Sequence, residues 1–241
     1  MCKKTLGILG GMGPASSAML YTLITDFTKA RRDADHMNII IVSEADIADR
    51  TDFITGKSKK DPFPRISRAV QTLLCAGAEV IAIPCNTAEY FMDAFKKEID
   101  VPFLLPSRAL AKAVARRGVK KLGIMATEGT LLADIYGKSL RKYGIEPCTP
   151  SEASRKILRE VIYSYLKCGA FPPAEMLCSV ANELMQNGCD AIALGCTELS
   201  LIRNESEYQN YNFIDSLLSL ALECVIYCGY EPSEKAKLYI K

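Results

Sequence analysis

Ala76-Gly77-Ala78-Glu79-Val80-Ile81-Ala82-Ile83-Pro84-Cys85-Asn86-Thr87 is answered later in the chain by Asn187-Gly188-Cys189-Asp190-Ala191-Ile192-Ala193-Leu194-Gly195-Cys196-Thr197. Each stretch runs from a glycine through an acid and four apolar residues to a cysteine followed by a short polar side chain. The offset between the cysteines, 111 residues, equals the offset between Gly77 and Gly188. Leu6-Gly7-Ile8-Leu9 and Leu122-Gly123-Ile124-Met125 form a weaker echo at a similar distance. A short, continuous apolar run bounded by turn residues reads as a strand buried on both faces, as in a parallel sheet. Two copies predict two α/β lobes of about 110 residues each, related by a pseudo-twofold.

Outward from these stretches, strand-length apolar runs fall at 5–9, 38–42, 79–83, 101–105, 121–125, 190–194 and 212–214. Helical patterns lie between them at 16–30, 64–76, 88–98, 107–117, 131–143, 152–167 and 173–187. This alternation predicts parallel sheets covered by helices on both faces. Residues 43–64 break the rhythm. The segment is polar, ends in Lys57-Ser58-Lys59-Lys60-Asp61-Pro62, and reads as a long functional or mobile loop.

Composition narrows the function classes. Of 241 residues 49% are hydrophobic and 24% charged, and 30 Lys+Arg face 28 Asp+Glu for a formal charge of +2. That is an ordinary globular balance, without the basic stripe of a nucleic-acid binder. The apolar run behind Met1-Cys2-Lys3-Lys4 is too short for an export signal or a spanning helix. The expectation is a cytoplasmic protein with no membrane partner and reduced thiols. The ten cysteines include no C-x-x-C pair, so no metal site is expected. Eight of them read as small core residues.

Cys85 and Cys196 differ because each ends a strand where a helix begins, the place where open α/β sheets bind ligands. Unpaired N–H groups at a helix start favour a thiolate and hold a carboxylate. Asn86, Thr87 and Thr197 suit capping or ligand contact there. A cysteine hydrolase needs a histidine, and the single histidine, His36, is far from either turn. Two matched thiols facing one another supply a base on one face of a carbon and an acid on the other, which is what racemisation requires. The turn Gly7-Ile8-Leu9-Gly10-Gly11-Met12-Gly13-Pro14 fits neither the dinucleotide nor the P-loop pattern and reads as a close approach to a small anion.

Gly10-Gly11-Met12-Gly13-Pro14, Asp49-Arg50-Thr51, Pro84-Cys85-Asn86-Thr87-Ala88, Thr127-Glu128-Gly129-Thr130 and Gly195-Cys196-Thr197-Glu198 together resemble the aspartate/glutamate racemase family. The likeness is greatest to its cofactor-independent aspartate racemase branch. Glutamate racemases have Asp-Ser where this chain has Gly11-Met12. The resemblance runs in order over nearly the whole chain. It implies an α/β fold of two pseudo-symmetric flavodoxin-like lobes, each a parallel sheet flanked by helices, with the site in the interlobe cleft. The lobes would comprise 1–105 plus 213–241 and 106–212, the strand and helix from 212 to 227 returning to the first. It further implies a homodimer using neither pyridoxal phosphate nor metal, and an acidic amino acid as substrate. Cys85 and Cys196 would be the acid/base thiols. Asn86, Thr87, Thr127, Thr130 and Thr197 would hold the α-carboxylate and amino group. Met12 and Glu198 would line the site, and Arg50 and Lys167 would meet the side-chain carboxylate and close the cleft.

The residues support these roles unequally. Guanidinium is the best partner for a carboxylate, while the bland account of Arg50 is a surface ion pair among Asp46, Asp49 and Asp52. For Lys167 the bland account is a dipole contact at a helix end. Glu89 stands where the family commonly has histidine; beside Cys85 it would disfavour the thiolate, whereas on the outer helix face it would meet only solvent. Three functions remain open: an acidic amino-acid racemase, a relative acting on another carboxylate (hydantoin racemase or maleate isomerase type), and a non-catalytic binding protein.

Overall fold

The computed structural model describes residues 2–97, 99–202 and 205–240. The first lobe opens with β1 (Leu6–Gly10), α1 (Pro14–Phe27), β2 (Ile39–Ser43), α2 (Arg50–Ile54), α3 (Phe63–Cys75), β3 (Val80–Ala82) and β4 (Phe103–Leu104). Then come α4 (Pro106–Arg116), β5 (Lys121–Met125), α5 (Glu128–Leu132), α6 (Ile135–Leu140), β6 (Glu146–Cys148), α7 (Glu152–Glu160), α8 (Ala174–Gln186), β7 (Ala191–Leu194), β8 (Phe213–Asp215), α9 (Ser216–Tyr227) and α10 (Glu234–Ile240). The strands form two four-stranded parallel sheets, ordered β2-β1-β3-β4 and β6-β5-β7-β8. The matched stretches thus supply matched strands. β3 pairs with β1 as β7 pairs with β5, and both are wholly buried. This is the two-lobe α/β architecture expected from the repeat.

Each sheet hands a helix to the other. α4 follows β4 of the first sheet, yet its Leu110, Ala111 and Val114 pack with Leu122, Ile124 and Ala193 of the second. α9 follows β8 of the second sheet, and its Leu217, Leu220, Ala221 and Val225 pack with Leu6, Ile8, Leu20 and Ile24 of the first. Apolar burial on both helices therefore ties the lobes together, at about 25 cal/mol for each Å² of apolar surface removed from water. The strand expected to return to the first lobe with its helix does not. β8 runs beside β7 in register Ile192↔Phe213, and only the helix after it crosses.

Residues 43–64 are not one loop. Asp49 caps α2, its side chain accepting from the Asp52 N–H at 2.9 Å, the local advantage of an Asx cap. The pattern at 131–143 divides into α5 and α6 around Asp134, which adopts a left-handed φ of 52°. The pattern at 152–167 changes after α7 into a π-helical turn, Val161–Tyr165, and a 3₁₀ turn, Leu166–Cys168. The segment expected as a helix at 88–98 is a 3₁₀ helix over Thr87–Lys97, and Glu98 lies outside the described residues. β6 escaped the strand reading because Pro147 interrupts a short edge strand. Among the described residues no helix is long and apolar enough to cross a membrane.

Candidate active site

β3 and β7 deliver the two cysteines to one place. Cys85 and Cys196 are each 6% exposed, and both line a single cavity between the lobes. From the first lobe the cavity also receives Met12, Asp49, Arg50, Thr51, Asn86 and Thr87; from the second, Thr127, Tyr163, Lys167, Thr197 and Glu198. Its volume is about 20 Å³, room for about one water. Met12, Asp49, Arg50, Lys167, Thr197 and Glu198 also border a larger outer chamber of about 280 Å³.

Hydroxyls join the lobes across the cavity. Thr87 Oγ1 lies 2.9 Å from Thr127 Oγ1 and 2.9 Å from Thr130 Oγ1, and the last two are 3.0 Å apart. Thr127 is also the N-cap of α5, accepting from the Thr130 N–H at 3.3 Å. Thr130 stands behind the other two and does not line the cavity. The Thr197 hydroxyl donates to Glu198 Oε2 at 3.2 Å and lies 3.5 Å from the Pro84 carbonyl of the opposite lobe.

The two thiols have opposite partners. Cys196 Sγ donates to Glu198 Oε2 at 3.0 Å. Burial first, and then the Glu198 carboxylate, push the Cys196 thiol well up, so it holds its proton. Cys85 instead lies against the Arg50 guanidinium. Burial opposes the Arg50 charge, but the sulfur of Cys85 and the Asp49 carboxylate more than offset that cost.

Arg50 is neither exposed nor in a loose loop. It starts α2 and is 7% exposed, which excludes the surface ion pair. Nη1 donates to the Ile47 and Ala48 carbonyls at 3.2 and 3.0 Å, and Nη2 to the Met12 carbonyl at 3.4 Å. Among the described residues Nε is buried without a hydrogen-bond partner. Much of the fork is thus engaged by backbone rather than open to a ligand.

Met12 belongs to the glycine turn between β1 and α1. Gly11 has φ +92°, and a Cβ there would lie 2.4 Å from the Glu44 backbone carbon, so the turn admits no side chain. Lys167 Nζ stands 3.6 Å from Asp49 Oδ2 and 4.3 Å from the Tyr163 ring centroid. The Tyr163 hydroxyl donates to the Asp49 carboxylate at 3.4 Å. Burial raises the Asp49 carboxyl, but the Asp52 N–H and Lys167 outweigh it and hold the group below its usual range. Sequence reading did not single out Asp49, Thr51 or Tyr163 as site residues. The first two lie in a motif already quoted, while Tyr163 enters through the π-helical turn, which has no sequence signature.

Glu89 neither faces solvent nor lines the cavity. Its side chain is 9% exposed and lies 3.6 Å from Arg108 Nε. Burial raises its carboxyl, opposed by Ser107 and Arg108.

A model of the Asp/Glu/hydantoin racemase family matches residues 9–223. A broad-specificity amino-acid racemase of Bacillus subtilis is 27% identical over 233 residues, which cover 94% of this chain and 99% of that protein. The aspartate racemase of Picrophilus torridus has a similar structure, with a TM-score of 0.84 and 28% identity, covering 99% of this chain and all of that one. An aspartate racemase homologue from Pyrococcus horikoshii gives 0.74 and 25%, covering 93% and 99%. With paired cysteine turns, a shared interlobe cavity and a match spanning most of its length, the chain belongs to the Asp/Glu/hydantoin racemase family.

Proposed function

We propose that the protein is a cofactor-independent amino-acid racemase that interconverts the enantiomers of aspartate, or of glutamate, through Cys85 and Cys196. One observation carries the reading: the two thiols, on matched turns of opposite lobes, line the same cavity. The names of the Picrophilus and Bacillus relatives point the same way.

In the competent form one sulfur is a thiolate and the other a thiol. The hydrogen bond from Cys196 to Glu198 favours the proton on Cys196, leaving Cys85 as the first base. Cys85 takes the α-proton from one face of the carbon, and Cys196 delivers its own proton to the other. The protonation states are then exchanged, and the reverse reaction starts from Cys196. Asn86, Thr87, Thr127 and Thr197 hold the α-carboxylate and amino group, with Thr130 fixing the hydroxyls of Thr87 and Thr127. The space for one water is too small for an amino acid, so substrate enters an opened cleft. Opening parts Lys167 from Asp49, and the side-chain carboxylate then meets Lys167 and the edge of Arg50, beside Met12.

A second reading, a substrate other than a dicarboxylate, draws support from the carbonyls already engaging Arg50. Incubating a panel of L-amino acids in D₂O, followed by chiral chromatography and mass analysis, tests both. Aspartate or glutamate should yield the D-enantiomer carrying deuterium at Cα. Turnover confined to neutral side chains would favour the second reading, and no exchange with any amino acid would overturn racemisation. The homodimer implied by the family resemblance is tested by sedimentation.

A further inference from the structure

Tyr136, on α6 of the second lobe, is 1% exposed and among the largest fully buried side chains. Its hydroxyl donates to Asn86 Oδ1, on the turn that carries Cys85. Burial holds that hydroxyl well above its usual range, so it stays protonated and can act as a donor. Asn86 Nδ2 in turn donates to Ser216 Oγ at 3.4 Å, and Ser216 Oγ donates to the Leu194 carbonyl at 2.7 Å. Leu194 ends β7 two residues before Cys196. The Tyr136 ring also touches the second turn directly: a Cβ on Gly195 would lie 2.9 Å from Tyr136 Cε2. One buried side chain therefore meets the residue after Cys85 and the residue before Cys196.

We propose that Tyr136 is a positioning residue for the racemisation reaction, fixing the amide of Asn86 across the lobe boundary while its ring sets the Cys196 turn. With Oδ1 held by Tyr136 and one N–H by Ser216, the amide has one orientation, and its second N–H is the donor offered to the substrate carboxylate. Without the hydroxyl, only the long 3.4 Å contact to Ser216 selects the orientation, and a larger share of the amide turns its oxygen toward that carboxylate. This inference rests on the two-thiol racemase reading.

Tyr136→Phe keeps the ring against Gly195 and removes the hydroxyl alone. It should lower kcat/KM about tenfold in both directions, the scale of one hydrogen bond, with KM raised and the circular-dichroism spectrum retained. The discriminating measurement is a double-mutant cycle with Asn86→Ala, read as α-proton exchange so that slow variants remain measurable. If Tyr136 acts through Asn86, Tyr136→Phe costs nothing further, within about twofold, in the Asn86→Ala background. An equal loss in both backgrounds, or no loss in the wild-type background, overturns the proposal while leaving the racemase reading intact. A wild-type chain that racemises nothing overturns the racemase reading, and this inference with it.

Discussion

Cys196 Sγ donates to Glu198 Oε2 at 3.0 Å inside a cavity with room for about one water. At the same cavity Cys85 lies against Arg50. The sequence repeat is symmetric, but Cys196 bonds to a carboxylate, with Lys167 opposing it more weakly, whereas Cys85 faces a guanidinium. Reaction from the two enantiomers should therefore respond differently to pH and to substitution.

Glu198→Gln tests that asymmetry. Burial and the Glu198 charge both raise the Cys196 thiol, and the substitution removes the second cause. Cys196 then ionises at lower pH. Under the proposed two-thiol mechanism, the rising limb of kcat/KM for the enantiomer assigned to Cys196 moves to lower pH. The falling limb of the opposite direction, which needs Cys196 protonated, moves the same way. Profiles measured with each pure enantiomer decide it, and two unmoved limbs would remove Glu198 from the control of Cys196.

Arg50→Ala should affect both stability and catalysis. The Met12, Ile47 and Ala48 carbonyls lose their donors, at about 1–3 kcal/mol for an unsatisfied buried group. At roughly 2–4 °C per kcal/mol for a chain of this size, a melting scan resolves that loss. If Arg50 also meets the substrate's second carboxylate, the preference for dicarboxylates falls along with kcat/KM. Arg50→Lys keeps the charge without the planar fork and should restore less of the substrate preference than of the stability. An unchanged substrate profile in Arg50→Ala would confine Arg50 to supporting the loop and Cys85.

Glu89 gives a contrast. Its carboxyl lies outside the cavity, near a half-exposed Arg108 at 3.6 Å, and Gln keeps its size and a polar end. Glu89→Gln should therefore change stability by less than about 1 kcal/mol and leave both rates near wild type. Glu89→His places a larger ring between Ser107 and Arg108, and overpacking of this kind costs about 1–3 kcal/mol. Thermal unfolding and steady-state rates separate the outcomes. A large rate increase in Glu89→His would show that Glu89 acts on Cys85 after all.

What the sequence disclosed and what it withheld follow from the range of the interactions involved. The strands ending at Cys85 and Cys196 were legible because a strand buried on both faces must be continuously apolar, and the chain writes that pattern twice. The cap at Asp49 was legible in principle as an Asx signal before α2, but the surrounding polar residues masked a helix of only five residues. The placement of β8 was not legible, because a three-residue strand with two apolar residues suits either sheet and its partner is decided by where β7 leaves an open edge. Tyr136 and Tyr163 reach the site from 51 and 78 residues beyond Cys85, and no local pattern records a contact at such separations. For Glu89 the sequence offered solvent or Cys85 as surroundings, and the fold supplied Arg108 and Ser107 instead.

Whether two thiols share one proton-transfer reaction is read most directly from α-proton exchange in D₂O. Cys85→Ala and Cys196→Ala are each incubated with pure L- and pure D-aspartate, or with glutamate if that is the substrate. Deuterium at Cα is read by NMR, and configuration by chiral chromatography. Each variant should fail to racemise either enantiomer. Any residual exchange should retain configuration and be confined to the enantiomer facing the remaining thiol, so that the two variants show opposite preferences. Near wild-type racemisation in both directions by either variant would rule out the paired-thiol mechanism and return that cysteine to the core.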